Sequence, residues 1–300
     1  MRRQPFTSLC QQFAKLARPA RADLHVHTTA SDGEYTPSQV VALARQAGLS
    51  AVAITDHDTL AAVPEAIATA RTFADSPVEV VPGVEITTEF EGREFHLLAY
   101  FVRLDDAALN AALAIVCASR RERFREYAVK LSLPLDRVKL VEEASLSLGR
   151  RHIAELLLAC GLARTQHEAF QRYLGPLRGS VMPKQRIPLD EAIHLVHVAG
   201  GIASLAHPSP DLTDEQFSRM KSMGLDAVEV VYAWRRSSRS NRLREVAAGF
   251  GFLATGGSDC HGPQPVGRRI GSYSIPGEAL DRLRIPAPLA ADSPRGYTAG

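Results

Sequence analysis

The sequence predicts an α/β protein in which a mostly parallel β-sheet, open or closed into a barrel, carries a helical insertion. Three observations lead to this fold class. Seven apolar runs of strand length are spread along the 300 residues. Amphipathic segments with helical periodicity separate most of these runs. Between residues 105 and 188 the chain has helical patterns and no convincing strand.

The first four strands are predicted before residue 105. The segment after the first strand is typical of a helix, because Thr36 can cap it, Pro37 suits its first turn and Gly48 can end it. A second helix is predicted around AAVPEAIATARTF. The four strand segments are ADLHVHT, SAVAITDHD, VEVVPGVEIT and REFHLLAYFV.

The rest of the chain is predicted as helices followed by three more strands. Helical periodicity runs through DDAALNAALAIVCASRRERFREYAVKL, GRRHIAELLLACG and TQHEAFQRYL, and strands return in GGIASLAHP, LDAVEVVYAW and FLATGGSDCHG. The predicted organisation is a basic, flexible leader over 1–21, a sheet or barrel domain over 22–104 and 189–285, a helical insertion domain over 105–188, and a flexible tail over 286–300.

Composition argues against several function classes. The chain is 45% apolar with a formal net charge of +2, so strong general attraction to nucleic acid or membranes is not expected. Its four cysteines show no CxxC spacing, which argues against a disulfide framework or a structural zinc site. No apolar run approaches the roughly 20 residues of a membrane span, and the basic start lacks the apolar core of a signal peptide. We expect a cytoplasmic protein with no membrane partner and no stable protein partner.

Histidine and carboxylate side chains collect near the ends of the predicted strands. His25 and His27 are two apart on the first strand and therefore point to the same side. In a barrel of parallel strands, the carboxyl ends form the face that carries the chemistry. Buried together without a cation, such groups would repel one another or lack partners, whereas imidazole and carboxylate suit zinc, manganese or iron at a catalytic site. The other members of the set are His57, Glu85 at the end of the third strand, His96, His207, Asp259 and His261.

The remaining histidines fit packing or surface positions. Four of them lie on predicted helices away from the strand ends, where position alone gives no ligand geometry. Cys260 lies between two proposed ligands and should point away from them, so we interpret it as structural. The four histidines are His152, His167, His194 and His197.

Six segments follow one another along the chain: DLHVHTTASDG, AITDHDTL, PGVEIT, FHLLAY, LAHP and GSDCHG. Together they resemble the successive motifs of the polymerase and histidinol phosphatase (PHP) superfamily. The resemblance covers about residues 22–270 and implies a distorted seven-stranded (β/α) barrel that hydrolyses phosphate esters with two or three metals. The helical insertion, with GRRHIAELLLACG and AFQRYLG, resembles one branch, the bacterial nucleoside 3′,5′-bisphosphate phosphatases that are also described as 5′-to-3′ exoribonucleases. Arg151 stands where that branch leads us to expect proline.

The resemblance also implies the metal ligands, with manganese favoured and iron or zinc as alternatives. They form three groups: His25, His27, Glu85 and Asp259 for the first metal; Glu85, His96 and His207 for the second, with Glu85 as a bridge; and Asp32, His57 and His261 for the third.

A reaction follows from this ligand set. A metal-activated hydroxide would attack phosphorus in line while the metals offset the charge on the phosphoryl oxygens. Glu85, Asp259 and His261 are expected to take part, and either His261 or a metal-bound water would protonate the leaving oxygen. The expected substrate is a nucleoside bisphosphate or a short 5′-phosphorylated oligonucleotide.

A bisphosphate needs a second anchor, and the planar fork of arginine suits phosphate. Arg150 is the first candidate because it lies at a predicted helix start, where anions are favoured. Arg120 and Arg123 follow, three apart on one helix face. Any single arginine is more often a solvated surface charge. Further cations that could contribute are Arg178, Lys184, Arg186, Arg235 and Arg236.

Two other functions remain open at this point. The first is another phosphatase of the same superfamily, such as one for histidinol phosphate, although the insertion argues against it. The second is a non-catalytic module that binds metal or nucleotide, although every expected ligand position holds a competent residue. No platform of alternating basic and aromatic residues is evident, which favours mononucleotides or short oligonucleotide ends over long RNA.

Overall fold

The structure is a computed structural model that describes residues 20–73, 75, 77–177, 179–232 and 237–284. The predicted tail over 286–300 and nearly all of the predicted leader lie outside the described residues. Three of the candidate phosphate-binding cations also lie outside them, namely Arg178, Arg235 and Arg236.

Nine strands pair into one sheet within the described part of the chain. They are β1 Arg21–Val26, β2 Ala51–Ile54, β3 Glu79–Phe90, β4 Arg93–Tyr100, β5 Ile187–Pro188, β6 Ile202–Leu205, β7 Ala227–Val231, β8 Leu253–Gly256 and β9 Ile275–Pro276. The seven predicted strands correspond to β1–β4 and β6–β8. The count of seven omits β5 and β9, because two paired residues leave no apolar pattern in a sequence.

The sheet is mixed rather than mostly parallel. Eight strands follow the order β8-β7-β6-β4-β3-β2-β1-β9, and β5 pairs with β3 off this path. Strands β1, β2 and β3 pair in parallel, as do β6, β7 and β8. Strands β3 and β4 instead form an antiparallel hairpin, and β4 also runs antiparallel to β6. The hairpin turn needs two residues with positive φ, and Glu91 at 52° and Gly92 at 72° provide them.

The two ends of the sheet approach each other, so the sheet is a nearly closed barrel. Val26 at the end of β1 bridges in parallel to Cys260, which follows β8. The His27 N–H donates to the Cys260 carbonyl at 3.0 Å, and the Asp259 N–H donates to the His25 carbonyl at 2.8 Å. Gly257 permits this approach, because a β-carbon there would lie 2.4 Å from the His25 backbone nitrogen. The closure brings ligands from both ends of the sheet together.

Helices cover the outside of the barrel and fill the segment between β4 and β5. The helix after β1 has the predicted limits: Thr36 forms a capping box, Pro37 starts it, and Gly48 follows it at a φ of 68°. The helices are α1 Pro37–Gln46, α2 Val63–Arg71, α3 Ala107–Lys130, α4 Leu135–Ala144, α5 Arg150–Ala159, α6 Gln166–Ala169, α7 Gly175–Leu177, α8 Leu189–Val198, α9 Asp214–Ser222, α10 Ser237–Phe250 and α11 Gly277–Leu283, with a π-helical turn over Phe170–Leu174 and a 3₁₀ turn over Val266–Arg268.

The helices between β4 and β5 contact the loop that follows β1. The N–H groups of Leu146 and Ser147 both donate to the Ala30 carbonyl at 3.1 Å, and the Ser145 hydroxyl donates to the Ser31 carbonyl at 2.6 Å. Phe124, Tyr127, Leu148, Ile153, Leu157 and other apolar residues form a separate core among these helices. These helices therefore rest on the loop that carries Asp32. The predicted domain boundaries remain a prediction.

No helix in the described residues is both long enough and apolar enough to cross a membrane.

Candidate metal and phosphate site

The structure brings all nine predicted metal ligands into one cluster, most of them at carboxyl ends of strands. His25 lies in β1, His57 follows β2, and Glu85 lies in the middle of β3 rather than at its end as predicted. The difference arises because β3 continues to Phe90 in the hairpin with β4. The full set is His25, His27, Asp32, His57, Glu85, His96, His207, Asp259 and His261.

Glu85 lies at the centre of the cluster, and its two carboxylate oxygens face different imidazoles. The side chain is 1% exposed. Its Oε1 lies 2.9 Å from His96 Nδ1 and 3.0 Å from His207 Nε2. Its Oε2 lies 3.0, 3.3 and 3.5 Å from nitrogens of His57, His27 and His25. This arrangement fits the bridging role that the sequence predicts for Glu85.

Asp259 supplies a second carboxylate from the segment after β8. Its Oδ1 lies 3.3 Å from His27 Nε2 and 3.5 Å from both His25 Nε2 and His261 Nδ1. Its Oδ2 lies 3.2 Å from Nη2 of Arg268, a cation that the sequence analysis did not single out. The backbone of Asp259 has a φ of 51°, a conformation that aspartate adopts more readily than most residues.

Asp32 forms the outer edge of the cluster. Its Oδ1 lies 3.4 Å from His261 Nε2, 3.8 Å from His57 Nε2 and 4.0 Å from His27 Nδ1. The predicted third group, Asp32, His57 and His261, is therefore together, and His27 lies beside it. The same distances place His57 close to Glu85 and His96 as well, so His57 lies between two groups.

Burial and mutual charge divide the histidines into two classes. Burial lowers the pKa of both His27 and His57 to about 4, and for His27 the neighbouring His261 adds to this effect. Burial also opposes the charged form of His96 and His261, but Glu85 and Asp32, respectively, raise their pKa values to about 9. The pKa of His25 is raised well above its ordinary value, because Glu85, Glu229 and Asp259 outweigh burial.

The carboxylates of the cluster remain ionised for a related reason. Burial alone would raise the pKa of Glu85, but His96, His57 and His25 hold it well below its usual range. His261, the nearest imidazole, is the main cause of the same effect on the pKa of Asp32. His25 and His261 have this effect on the pKa of Asp259. The ionised form of these carboxylates therefore depends on the imidazoles around them.

The cluster fits a group of divalent cations. Several buried atoms that point into it have no hydrogen-bond partner, including His25 Nε2, both ring nitrogens of His27, Asp32 Oδ1 and His57 Nδ1. Unpartnered buried polar atoms are costly, and cations would satisfy them. The donor set of imidazole nitrogens and carboxylate oxygens suits manganese, iron or zinc.

Two aspartates that the sequence analysis overlooked hold the loops around the cluster. Asp56 accepts hydrogen bonds from the Thr28 N–H at 2.7 Å and from the Ser31 hydroxyl at 2.5 Å. Asp58 accepts from the Thr87 N–H at 2.6 Å and from Thr87 Oγ1 at 2.8 Å. Both aspartates flank the predicted ligand His57 in the segment TDHD, and this position is the sequence feature that could have identified them.

Two glutamates were also overlooked, although each contacts a proposed ligand. Glu229 in β7 is fully buried, with Oε1 3.2 Å from His25 Nδ1. Glu94 in β4 has Oε1 3.5 Å from His96 Nε2. The sequence feature that could have identified Glu229 is its place among the valines of VEVV. A carboxylate on a strand expected to be buried is unusual unless it has a partner.

A cationic pocket borders the cluster. Glu94 connects the two, because its Oε1 is near His96 and also lies 2.8 Å from Lys184 Nζ, while its Oε2 lies 3.3 Å from Arg186 Nε. On the other side, a β-carbon at Gly149 would lie 3.8 Å from Asp32 Oδ2. Five basic residues line the pocket, namely Arg120, Arg123, Arg150, Lys184 and Arg186.

The three predicted phosphate-binding arginines all line this pocket, but their surroundings differ. Arg120 is 6% exposed, and its Nε donates to Asp58 at 2.6 Å. Arg123 is half-buried and donates to the Met182 carbonyl at 3.0 Å. Arg150 is the first residue of α5, as predicted, and its guanidinium lies 5.8 Å from the centre of the Phe170 ring. Arg120 is therefore already engaged by the protein itself.

His152 and Arg151 contribute to the position of α5. His152 is buried, and its Nδ1 accepts from the Gly149 N–H at 3.0 Å, which agrees with a packing role. Arg151 donates to Glu34 at 2.8 Å and lies 3.3 Å from Glu155. Arg151 therefore ties α5 to the loop after β1.

Comparison with known proteins identifies similar chains. The model of the PHP domain family matches residues 23–199. The 5′-3′ exoribonuclease Rnm of Salmonella typhimurium is 33% identical over 262 residues, which cover 83% of this chain and 88% of that protein. A 3′,5′-nucleoside bisphosphate phosphatase of Chromobacterium violaceum is 27% identical over 262 residues, which cover 84% of this chain and 91% of that protein. The crystal structure of a metal-dependent phosphoesterase from Bifidobacterium adolescentis aligns with a TM-score of 0.80 at 31% identity, covering 89% of this chain and 96% of that one.

Proposed function

Because the chain belongs to the PHP domain family of phosphoesterases, we propose that it removes the 3′-phosphate of nucleoside 3′,5′-bisphosphates, such as adenosine 3′,5′-bisphosphate, and trims short RNA from its 5′ end. The observation that carries this proposal is the cationic pocket beside the histidine and carboxylate cluster. One Glu94 oxygen is within 3.5 Å of both His96 and Lys184. A phosphate held by the pocket would therefore lie close to a phosphoester held at the cluster.

The nine clustered residues would hold two or three divalent cations, with manganese favoured on the ligand set. Bound cations would offset charge on the phosphoryl oxygens and make a water nucleophilic near neutral pH. Glu85 supports a bridged arrangement, since its two oxygens face separate sets of imidazoles. Asp259 would complete the group of ligands that contains His25 and His27.

His261 is the candidate acid for the leaving oxygen. It is partly accessible, and although burial opposes its charged form, Asp32 and Asp259 raise its pKa to about 9. It can act as an acid only while it does not ligate a cation, so its two proposed roles are alternatives. When His261 ligates a cation, a water held at the cluster would protonate the leaving oxygen instead.

The pocket would bind the second phosphate of a bisphosphate, or the 5′-phosphate of an oligonucleotide. Arg150 and Arg123 are the main candidates, because both are half-buried, whereas Arg120 is 6% exposed and paired with the buried Asp58. The helices of residues 105–188 would cover the substrate, since they supply Arg120, Arg123 and Arg150 to the pocket. A pocket lined by five basic residues favours a compact anion over a long strand.

Phosphate release from adenosine 3′,5′-bisphosphate in the presence of Mn²⁺ tests the proposal. Wild-type protein should release phosphate, and Glu85→Gln should be nearly inactive. Glu79→Gln is the matched control, because Glu79 lies on the same strand but is 44% exposed, outside the cluster and paired with Arg284. Short RNA with a 5′-phosphate should be a better substrate than the same RNA with a 5′-hydroxyl.

Two outcomes would overturn the substrate assignment. Metal-loaded wild type that hydrolyses histidinol phosphate but neither nucleotide substrate would indicate another phosphatase of the family. Metal-dependent nucleotide binding without any phosphate release would indicate a binding module.

A further inference from the structure

Glu229 contacts two of the clustered histidines, one that follows the neighbouring strand β6 and one on β1, the strand onto which β8 closes. The side chain is fully buried on β7. Its Oε1 lies 3.2 Å from His25 Nδ1 on β1. Its Oε2 accepts the backbone N–H of His207, just after β6, at 2.7 Å. One carboxylate therefore connects three strands at the cluster, and each oxygen has its own partner.

The contact with His25 determines which ring nitrogen faces the cluster. When Nδ1–H donates to Glu229, the lone pair of the neutral imidazole lies on Nε2. His25 Nε2 lies 3.5 Å from both Glu85 Oε2 and Asp259 Oδ1, and it has no hydrogen-bond partner of its own. The lone pair is then directed at the point where these carboxylates converge.

The contact with His207 acts through the backbone. His207 has a φ of 27°, a conformation that is strained for a residue with a side chain. The hydrogen bond from its N–H to Glu229 helps to hold this conformation. In it, His207 Nε2 lies 3.0 Å from Glu85 Oε1. Glu229 thus supports one ligand on each side of the Glu85 carboxylate.

We propose that Glu229 is a positioning residue for metal binding, which fixes the tautomer of His25 and the backbone of His207. The inference rests on the metal cluster of the proposed function. Glu229 is in none of the ligand groups that the clustered residues form, and its two oxygens face the His25 ring and the His207 N–H instead. Partners of this kind orient metal-bound histidines and make them better donors.

The variant Glu229→Gln separates positioning from simple packing. An amide has nearly the same shape but only one acceptor oxygen, and both partners of Glu229 present N–H groups. Either the His207 N–H loses its acceptor, or His25 turns to the tautomer that carries a proton on Nε2. Both changes should weaken metal binding even if the barrel stays folded.

Asp226→Asn is the matched control. Asp226 Oδ2 also accepts from a histidine, His197 Nε2 at 2.8 Å, and from a backbone N–H, that of Ala203 at 2.9 Å. Asp226 lies just before the first residue of β7. Neither His197 nor Ala203 belongs to the cluster. Both donors share Oδ2, and asparagine keeps one acceptor oxygen, so Asp226→Asn should leave metal affinity unchanged.

Calorimetric titration of the metal-depleted proteins with Mn²⁺ is the decisive experiment. Glu229→Gln should bind Mn²⁺ about 10–100-fold more weakly than wild type, as expected for loss of a group that orients a metal ligand. Its increase in melting temperature on adding Mn²⁺ should shrink in parallel. Asp226→Asn should match wild type in both. Equal Mn²⁺ affinity of Glu229→Gln and wild type would overturn the inference while leaving the proposed function intact.

A measurement on wild type covers the case in which the variant does not fold. Nitrogen-15 spectra of the zinc-loaded protein should show His25 bound through Nε2, with a slowly exchanging proton on Nδ1. Binding through Nδ1 would overturn the positioning role. Wild type that binds neither Mn²⁺ nor Zn²⁺ would defeat the metal cluster itself, and with it both proposals.

Discussion

The Nε atom of Arg120 lies 2.6 Å from Oδ2 of Asp58, and both side chains are almost completely buried. Arg120 comes from α3, whereas Asp58 follows His57 in the barrel. The pair therefore joins the helical segment to a loop of the candidate metal site. Burial opposes both charges, but each partner favours the charged form of the other, so the pKa of Asp58 is lowered and that of Arg120 is raised.

We expect Arg120→Ala to destabilise the protein strongly. Removal of one partner leaves a buried, unpaired charge on Asp58, which typically costs about 3–5 kcal/mol. The free energy of unfolding, measured by urea denaturation, should fall by that amount. Arg123→Ala is the control on the same helix and should change the free energy of unfolding by less than about 1 kcal/mol, since Arg123 is only half-buried and donates to the backbone carbonyl of Met182. Equal stabilities of the two variants would contradict a structural role for the pair.

Asp32 should be needed for only part of the metal content. Its Oδ1 is buried without a hydrogen-bond partner beside His27, His57 and His261. Asp32→Asn should lower the number of Mn²⁺ ions retained per chain, measured by elemental analysis after gel filtration. The affinity of the affected site should fall by at least about tenfold, the lower end of the loss from removing a group that merely orients a ligand.

Glu34→Gln is the control for Asp32, because Glu34 lies on the same loop but is 43% exposed and pairs with Arg151. It should retain the wild-type metal content. Full metal content in Asp32→Asn would show that Asp32 is not a ligand.

Much of the candidate site is predictable from spacing and from strand ends. His25 and His27 are two residues apart, so their side chains are predicted on the same side of a strand. The structure places both in the cluster. Glu229 was not predictable in the same way, since a lone glutamate on a strand has no partner spacing. Its role depends on the closure of the barrel, which brings β1 next to β8, the neighbour of β7, and local sequence patterns do not reveal that closure.

The fold was predictable where elements are long. The capped helix at Thr36 and the seven longer strands follow local patterns. The antiparallel direction of β4 was not evident, because its hairpin turn has no Asn-Gly or Asp-Gly signal and instead uses Glu91 and Gly92. The pairing of β5 with β3 involves only two residues and depends on tertiary contact.

Arg150 should determine the preference for a second phosphate. We expect Arg150→Ala to raise the KM for adenosine 3′,5′-bisphosphate by about tenfold or more, since a hydrogen bond to a charged group contributes about 1.5–3 kcal/mol. The KM for adenosine 3′-phosphate, which lacks the 5′-phosphate, should change little. Steady-state kinetics on both substrates gives the ratio that isolates the effect.

The neighbouring Arg151→Ala is the control for Arg150. Arg151 pairs with Glu34 and Glu155 and does not line the pocket. It should leave the ratio of the two KM values at the wild-type value. An equal rise of KM on both substrates in Arg150→Ala would place Arg150 at the reacting phosphate instead.

Lys184 should give substrate binding a dependence on pH near 8. Burial, together with the nearby Arg120, lowers the pKa of Lys184 from 10.5 to about 8. Its charge therefore reduces folded-state stability below pH 8, and this cost is relieved as pH rises from about 8 to 10.5. In the pocket, loss of the proton removes a positive charge, so the KM for adenosine 3′,5′-bisphosphate should rise between pH 7 and 9. Lys184→Arg keeps its charge throughout this range and should abolish that rise. Identical pH profiles of KM for wild type and Lys184→Arg would show that the Lys184 charge does not contribute to substrate binding.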